Sequence, residues 1–270
     1  MWGFANGNGR DSKAAASGGI LMTRRRISVT VGLTIALTFG LCASVRAGEA
    51  QDASGRQEIE TVVREYLRAH PEVVLEALQE MERREHERQR AQRVEAIRAH
   101  LAQLTQDPGS PVGGNPQGRV TIVEFFDYQC GYCKRQVGEL KKLLQTDADV
   151  RLVYKDLPIL GPPSVFAARA ALAARKQGKH EALHDALMAT NEPLTEAVVL
   201  KVAAQSGLDV ARLEKDMADP SVSEALDRNF QLQRALNIEG TPAVIVGTEF
   251  IPGAASFETL KALAARARTQ

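Results

Sequence analysis

Two cysteines separated by two residues are the side chains of this sequence best suited to chemistry. Cys130 and Cys133 stand in the run DYQCGYC at residues 127–133. A thiolate on Cys130 can attack a disulfide in another protein, and Cys133, one helical turn later, can then attack the mixed disulfide. An inert structural bridge is a weaker interpretation, because two cysteines this close constrain the unfolded chain very little. Half of a zinc site is weaker still, because the sequence offers no second cysteine pair.

A strand and a helix are predicted to position the cysteine pair. The run VTIVEFF at residues 120–126 is rich in β-branched and aromatic side chains and predicts a buried strand, and Val150 to Tyr154 predicts a second. Between them, Cys133 to Gln145 has the apolar spacing of a helix. This order predicts a parallel βαβ unit with a right-handed crossover. Cys130 would then lie at the N-terminal end of the helix, where the helix dipole and free N–H groups stabilise a thiolate.

The rest of the C-terminal region alternates helices with one further pair of strands. Alanine- and leucine-rich segments from Pro163 to about Ala235 predict a series of helices. Ala243 to Val246 and a short strand ending at Ile251 predict a hairpin, and Ser256 to Arg268 predicts a final helix. The fold class is therefore α/β, with a domain at residues 119–270 that carries the series of helices as an insertion.

The region before this domain is helical and highly polar. Apolar residues at spacings of three and four predict an amphipathic helix from about Gln57 to Ala69, and a second helix from Pro71 to Thr105 would be about 50 Å long. A helix of that length is expected to stand away from the core, either as a solvated linker or as a stalk whose apolar ends pack against copies of itself. We favour the stalk, over residues 48–106, and expect a homo-oligomer. The prolines and glycines of residues 107–118 predict a hinge linker.

Composition and the N-terminal segment bound the class and the compartment of the protein. With 270 residues, 44% of them hydrophobic, and a net charge of +1, the chain has the composition of a soluble globular protein rather than of a nucleic-acid binder. Residues 1–47 predict a cleaved secretory signal peptide, with Arg24 to Arg26 before an apolar run and a small-residue cleavage pattern ending at Ala47. Met22 is a more natural start than Met1, and a single membrane anchor is the alternative. Export would place the chain in the periplasm, where disulfides persist.

Three segments together resemble one known family. They are GRVTIVEFFDYQCGYCK at residues 118–134, KDLPILG at 155–161 and GTPA at 240–243. The chain is similar there to the DsbA-like branch of thioredoxin-fold thiol:disulfide oxidoreductases, and its helical segment from Ile59 to Leu78 resembles that of the ScsC/Com1 type, the suppressor of copper sensitivity proteins. The resemblance implies a thioredoxin-like fold in which Cys130 is the attacking thiolate and Cys133 the resolving thiol.

The same resemblance implies roles for residues outside the cysteine pair. Pro242 would be a cis-proline that faces the disulfide, with Thr241 before it pairing with substrate backbone. Glu124, on the predicted strand, matches a buried carboxylate that relays the proton of Cys133. A buried charge needs a partner, and Lys155 on the neighbouring strand is our candidate. The alternative is that Glu124 points to solvent from an alternating strand.

The direction of exchange is predicted from three residues that would contact substrate. Gly131 and Tyr132 between the cysteines, together with Thr241, resemble the isomerase DsbC more than the oxidase DsbA. We therefore expect a disulfide isomerase or reductase of exported, cysteine-containing proteins, with no cofactor beyond its redox-active disulfide and a membrane redox partner of the DsbD/ScsB or DsbB type. A monomeric DsbA-like dithiol oxidase is the alternative. A second class is a periplasmic protein that binds Cu(I) through the same thiols.

One further motif has a possible metal chemistry. HEALH at residues 180–184 satisfies the H-E-x-x-H pattern of zinc metalloproteases. No convincing third ligand follows it, and the neighbouring Leu183 and Leu187 favour ordinary packing in the helical insertion. Binding of copper or zinc by the two histidines is the alternative, and no metal site is predicted.

Overall fold

The computed structural model describes residues 55–269. The predicted signal peptide at residues 1–47 lies outside this range. Contacts divide the chain after Ala77, so that residues 55–77 and residues 78–269 belong to separate compact units. Within the range 55–269, no helix combines the length and the apolar character needed to cross a membrane.

The first unit is helical and carries a row of exposed apolar side chains. Helix α1 covers residues 55–69, and helix α2, Glu72–Ala99, begins after a break at His70 and Pro71. The break lies at Pro71 because a proline is tolerated in the first turn of a helix but not in its interior. The exposed apolar side chains are Ile59, Val62, Val63, Tyr66, Leu67, Val74 and Leu75. The helix predicted from about Gln57 to Ala69 is confirmed by α1, and its apolar side chains recur at spacings of three and four.

The second unit is built on a five-stranded sheet. Its strands are β1 Val112–Gly114, β2 Val120–Phe126, β3 Val150–Asp156, β4 Ala243–Val246 and β5 Glu249–Pro252, in the order β1-β3-β2-β4-β5. Strands β2 and β3 are parallel and in the centre, and helix α4, Gly131–Thr146, connects them. The remaining pairs are antiparallel. The predicted βαβ unit and the C-terminal hairpin are both confirmed.

Helices flank the sheet and form the predicted insertion. The short helix α3, Leu101–Thr105, precedes β1, and the insertion between β3 and β4 consists of α5 Pro162–Ala174, a 3-10 turn Arg175–Gln177, α6 His180–Ala189, α7 Glu196–Gln205, α8 Val210–Met217 and α9 Pro220–Ala235. Thr195, Asp209 and Asp219 begin three of these helices, each accepting a backbone N–H on its side-chain oxygen. Helix α10, Phe257–Ala267, packs against α4. The architecture is a thioredoxin-like sheet with an inserted helical domain.

The two faces of the sheet have separate cores. One face packs against α4 and the helical insertion, and the other packs against the end of α2, α3 and the end of α9. Ile97 and Leu104 belong to this second core and are 0% and 1% exposed. The expectation that a helix from Pro71 to Thr105 stands away from the core is therefore wrong for its second half. The chain also breaks this helix at His100, between α2 and α3.

The segment predicted to be a hinge linker, residues 107–118, contains a strand of the sheet, so the prediction is wrong for Val112–Gly114. Strand β1 within it pairs antiparallel with β3, Val112 opposite Val153. Two of its three residues are glycines, which have low β propensity, so the local sequence does not predict a strand. Pairing with β3 therefore accounts for the strand, which becomes the edge strand on that side of the sheet.

Candidate active site

The two cysteines lie at the start of α4, at the carboxyl end of the central strand β2. Cys130 is the N-cap residue of α4, and its Sγ accepts the N–H of Cys133 at 3.4 Å. Both thiols are free, and Cys130 is 8% exposed while Cys133 is fully buried. Burial raises the pKa of the Cys133 thiol well above its ordinary value. Cys130 is therefore the sulfur that another protein can reach, and Cys133 needs a proton acceptor before it can react.

A loop before β4 faces the outer sulfur. The Thr241–Pro242 peptide bond is cis, as predicted, and the Cys130 thiol donates to the carbonyl oxygen of Thr241 at 3.2 Å. The carbonyl of Pro242 accepts the N–H of Gly253 at 2.8 Å, which ties the loop to the end of β5. The backbone of Thr241 is thus held beside the sulfur that would react.

Glu124 is a buried acid on β2, on the face of the sheet that packs against α4. It is 0% exposed, and among residues 55–269 neither of its carboxylate oxygens has a hydrogen-bond partner. Burial, together with a smaller contribution from the negative charge of Cys130, raises the pKa of Glu124 to about 8. Glu124 in turn contributes to the raised pKa of Cys133. The predicted burial of this acid is confirmed, and its alternative placement toward solvent is wrong.

Lys155 does not pair with Glu124, so that prediction is wrong. In the register of β2 and β3, Glu124 lies opposite Tyr154, and Lys155 lies opposite Phe125. Side chains alternate between faces along a strand, so Lys155 points to the other face of the sheet. There its Nζ donates to the carbonyl of Gln103 at 2.8 Å and lies 3.3 Å from Oδ2 of Asp107.

The two residues between the cysteines are exposed on the surface of the site. Gly131 is the first residue of α4, and Tyr132 is 62% exposed. The guanidinium of Arg135 lies 4.2 Å from the centre of the Tyr132 ring, in cation–π geometry. Ile159 and Leu160, in the loop after β3, are exposed apolar side chains as well. The surface around the outer sulfur is therefore suited to contact with another polypeptide.

Asp127 organises the loop before the cysteines, a role that the sequence interpretation did not assign. Its Oδ1 accepts the N–H of Gln129 at 2.8 Å and the hydroxyl of Ser164 at 2.6 Å, and its Oδ2 accepts the N–H of Leu160 at 3.0 Å. Gln129 also donates to the carbonyl of Leu160 at 3.1 Å. An aspartate whose side chain accepts the N–H of the residue two positions later forms an Asx turn, and an aspartate in the loop three residues before the helix cap is the signal that could have identified it.

The histidines of the H-E-x-x-H pattern pack inside the domain. His180 and His184 are buried on α6, with ring centres 5.8 Å apart, and His184 Nδ1 is 3.2 Å from the hydroxyl of Tyr128. Burial lowers the pKa of His184 to about 3, so its imidazole is neutral. Among residues 55–269 no three metal-ligating side chains come together. The predicted ordinary packing of this motif is confirmed.

Comparison with protein families matches two parts of the chain. Residues 121–264 match the DSBA-like thioredoxin domain, and residues 56–88 match the copper resistance protein ScsC N-terminal domain. Among curated proteins, a Na(+)/H(+) antiporter NhaA 3 of Salinispora tropica is 31% identical over 153 residues, which are 56% of this chain. The match spans 24% of that antiporter, so the chain covers about a quarter of the first curated relatives it matches.

Solved structures support the same relationship over most of their own length. A thioredoxin-like oxidoreductase from Silicibacter pomeroyi is 46% identical with a TM-score of 0.62, over 63% of this chain and 98% of that one. A periplasmic thioredoxin-like protein from Salmonella enterica is 34% identical with a TM-score of 0.57, over 63% and 96%. The catalytic domain of Proteus mirabilis ScsC is 28% identical with a TM-score of 0.61, over 66% and 99%. The chain therefore belongs to the DSBA-like thioredoxin domain family of thiol-disulfide oxidoreductases, with an N-terminal segment of the ScsC type.

Proposed function

We propose that this chain is a thiol-disulfide interchange protein that isomerises or reduces disulfides of exported proteins. The observation that carries the proposal is the asymmetry of the two thiols at the start of α4. Cys130 is 8% exposed and accepts a backbone N–H, whereas Cys133 is fully buried and is influenced by the charge of Glu124, an acid with no hydrogen-bond partner among residues 55–269. One sulfur is suited to attack a client and the other to resolve the product.

The reaction begins at Cys130. Its thiolate attacks one sulfur of a client disulfide, the client S–S bond breaks, and the other client sulfur leaves as a thiolate. The backbone of Thr241, beside Cys130, pairs with the client segment and aligns it at the cis Pro242. The product is a mixed disulfide between Cys130 and the client, which is the branch point of the reaction.

Two outcomes follow from the mixed disulfide. In isomerisation, a second client thiolate attacks the mixed disulfide, forms a new client disulfide and releases the Cys130 thiolate. In reduction, Cys133 gives its proton to the Glu124 carboxylate and attacks Cys130, which leaves a Cys130–Cys133 disulfide and a reduced client. A carboxyl group whose pKa is about 8 can accept and release this proton near neutral pH. No bound cofactor is needed, because both electrons come from the thiols.

The N-terminal unit supports isomerisation over oxidation. Its exposed apolar row on α1 and α2 is suited to packing against copies of the same chain, so that several catalytic units would hold one client. Gly131, Tyr132 and Thr241 resemble the corresponding residues of DsbC. We further propose export to the periplasm by the predicted signal peptide, and a membrane partner of the DsbD/ScsB or DsbB type that returns the pair to its working redox state.

Copper binding by the same thiols is the weaker proposal. A Cu(I) ion held by both sulfurs would require Cys133 as a thiolate. Burial raises the pKa of Cys133, so releasing its proton to let the sulfur bind a metal would cost free energy. The same burial is useful in exchange, because it keeps the resolving thiol protonated until Cys130 has reacted.

The test follows recovery of an enzyme from scrambled disulfides, with the chain that begins at Gly48. Cys130→Ser is expected to abolish recovery, and Cys133→Ser to accumulate mixed disulfides with the client. Val63→Glu with Leu67→Glu, on the apolar row, should lose recovery while still reducing a small disulfide. Gln57→Glu with Thr61→Glu, on the opposite face of α1, adds the same charge and should keep both activities.

Three results would contradict this function. If the chain oxidises a reduced client and never reshuffles a scrambled one, the dithiol oxidase is the better assignment. If Cys130→Ser retains full recovery, the assigned role of the outer cysteine is wrong. Stoichiometric Cu(I) binding without any exchange would favour the copper protein.

A further inference from the structure

A groove runs from the cis-proline loop toward the helix that enters the second unit. Its volume is about 590 Å³. Tyr132, Thr241 and Pro242, which are close to the cysteines in the chain or in space, line the groove together with Phe250 of β5. Gln89 and Arg93 of α2 line it as well. A segment of the chain that precedes the thioredoxin-like domain therefore contributes to the surface beside the reactive sulfur.

Arg93 is the cation of this groove, and its hydrogen-bonding capacity is not used within the described chain. Its guanidinium carbon lies over the Phe250 ring, 4.3 Å from the ring centre, in cation–π geometry. Its Nε is buried and has no hydrogen-bond partner among residues 55–269. Arg90, three residues earlier, differs, because it is paired with Glu249 at 3.0 Å. The charge of Arg90 is thus already matched, whereas Arg93 forms no ion pair in the range 55–269.

One acid also lies along the groove and must be weighed against Arg93. Glu239 lines the side near Thr241, is exposed, and lies 3.4 Å from the side-chain amide of Asn237. An exposed carboxylate is well screened by water and salt, so it contributes little to selection among ligands. Arg93 is partly buried and held against an aromatic ring, so a carboxylate placed there would form a stronger, charge-assisted hydrogen bond.

We propose that Arg93 is a specificity-determining residue that selects client segments with an acidic side chain close to the reacting cysteine. The proposal rests on the disulfide exchange proposed above and names the class of client. An extended client segment pairs with the Thr241 backbone at one end of the groove, and its Asp or Glu side chain binds the Arg93 guanidinium at the other. The entering helix α2 thereby takes part in client choice as well as in packing.

The test compares exchange rates for peptides that differ in one charge. The reduced chain that begins at Gly48 reacts with peptide disulfides in which one Glu, Gln or Lys is placed at each of three positions on either side of the cysteine. At the favoured position we expect kcat/KM to be about 5- to 10-fold higher for Glu than for Gln, as one charge-assisted hydrogen bond would give. Arg93→Gln should reduce this ratio to within about twofold, and Arg93→Glu should favour Lys instead.

Matched variants separate selection from folding and from chemistry. Arg93→Lys keeps the charge and should retain part of the preference. Arg90→Gln, on the same helix but outside the groove, should retain all of it. A small uncharged disulfide reagent should react at the same rate with every variant, because the variants do not change the cysteines.

The possible results distinguish this proposal from the function on which it rests. Equal rates for Glu and Gln peptides at every position, or an unchanged ratio in Arg93→Gln, would overturn the role of Arg93 and leave disulfide exchange standing. Failure of the unaltered chain to exchange any peptide while it reacts with the small reagent would overturn both.

Discussion

Glu124 and Lys155 are two buried charged residues on neighbouring strands, and the structure treats them in opposite ways. Both are 0% exposed. Lys155 has the Gln103 carbonyl and Asp107 as partners, whereas Glu124 has no partner among residues 55–269 and its charge acts on Cys133. A buried group without partners costs stability unless its charge is suppressed. The paired charge therefore contributes to stability, and the unpaired acid is the group that moves a proton in the proposed reaction.

The largest expected effect tests the paired charge. Lys155→Met leaves Asp107, whose side chain is 6% exposed, without its nearest buried cation, which should cost about 3–5 kcal/mol of unfolding free energy. Urea unfolding measures this loss. Lys201→Met, which breaks the exposed pair with Glu192, is the control and should cost less than about 1 kcal/mol. Equal losses in the two variants would remove Lys155 from its structural role.

The next effect tests the unpaired acid. Glu124→Gln should slow the attack of Cys133 on the mixed disulfide by about 100-fold at neutral pH, because it removes the proton acceptor. Formation of the mixed disulfide by Cys130 should be unchanged, and single-turnover kinetics with a peptide disulfide separates the two steps. Lys155→Met should show the opposite pattern, with lower stability and both rates retained. Unchanged resolution in Glu124→Gln would exclude the proton relay.

The pH dependence of stability sharpens the comparison further. Burial raises the pKa of Glu124 from 4.5 to about 8, so the folded protein holds its proton over a range in which the unfolded chain has lost it. Its contribution to stability is therefore present below pH 4.5 and is lost as the pH rises through about 8. The stability of Glu124→Gln relative to the unaltered reduced protein should increase steadily from pH 5 to pH 8.5.

Two other sets of buried groups also make the stability depend on pH. The quantity to measure is therefore the difference in stability between Glu124→Gln and the unaltered protein. Burial also raises the pKa of Asp156 to about 8, and it lowers the pKa values of His180 and His184, which removes stability as the pH falls below 6.5. These groups are present in both proteins and cancel in the difference. A flat difference for Glu124→Gln would contradict its unpaired burial among residues 55–269.

The smallest effect concerns the exposed partner of Asp107. Arg228 lies 3.3 Å from Asp107 but its side chain is 39% exposed, so water screens the pair. Arg228→Gln should lower the unfolding free energy by less than about 1 kcal/mol, measured in urea beside Lys155→Met. A loss as large as that of Lys155→Met would mean that exposure does not separate the two cations around Asp107.

The sequence predicted the elements of the site better than the contacts between them. The strand before Cys130 and the helix after it follow from local patterns, the cis Pro242 follows from the family resemblance, and all three are observed. The prediction that Lys155 pairs with Glu124 was wrong, because the register of two parallel strands is not visible in either strand alone. Ile97 and Leu104 continue the row of apolar residues along the predicted helix. Apolar spacing in the sequence does not tell whether such a row packs on the sheet or on another chain.

The amino-acid sequence alone was enough to predict a redox pair and the elements that carry it. A C-x-x-C pair between a buried strand and a helix predicts a redox site, because cysteine spacing and helix start are local properties. Only the tertiary structure decided which buried charge is paired, that α2 packs on the sheet, and that Arg93 lies along the groove beside Thr241. These depend on contacts between distant residues, such as Lys155 with Gln103, which the packing of the two sheet faces brings together.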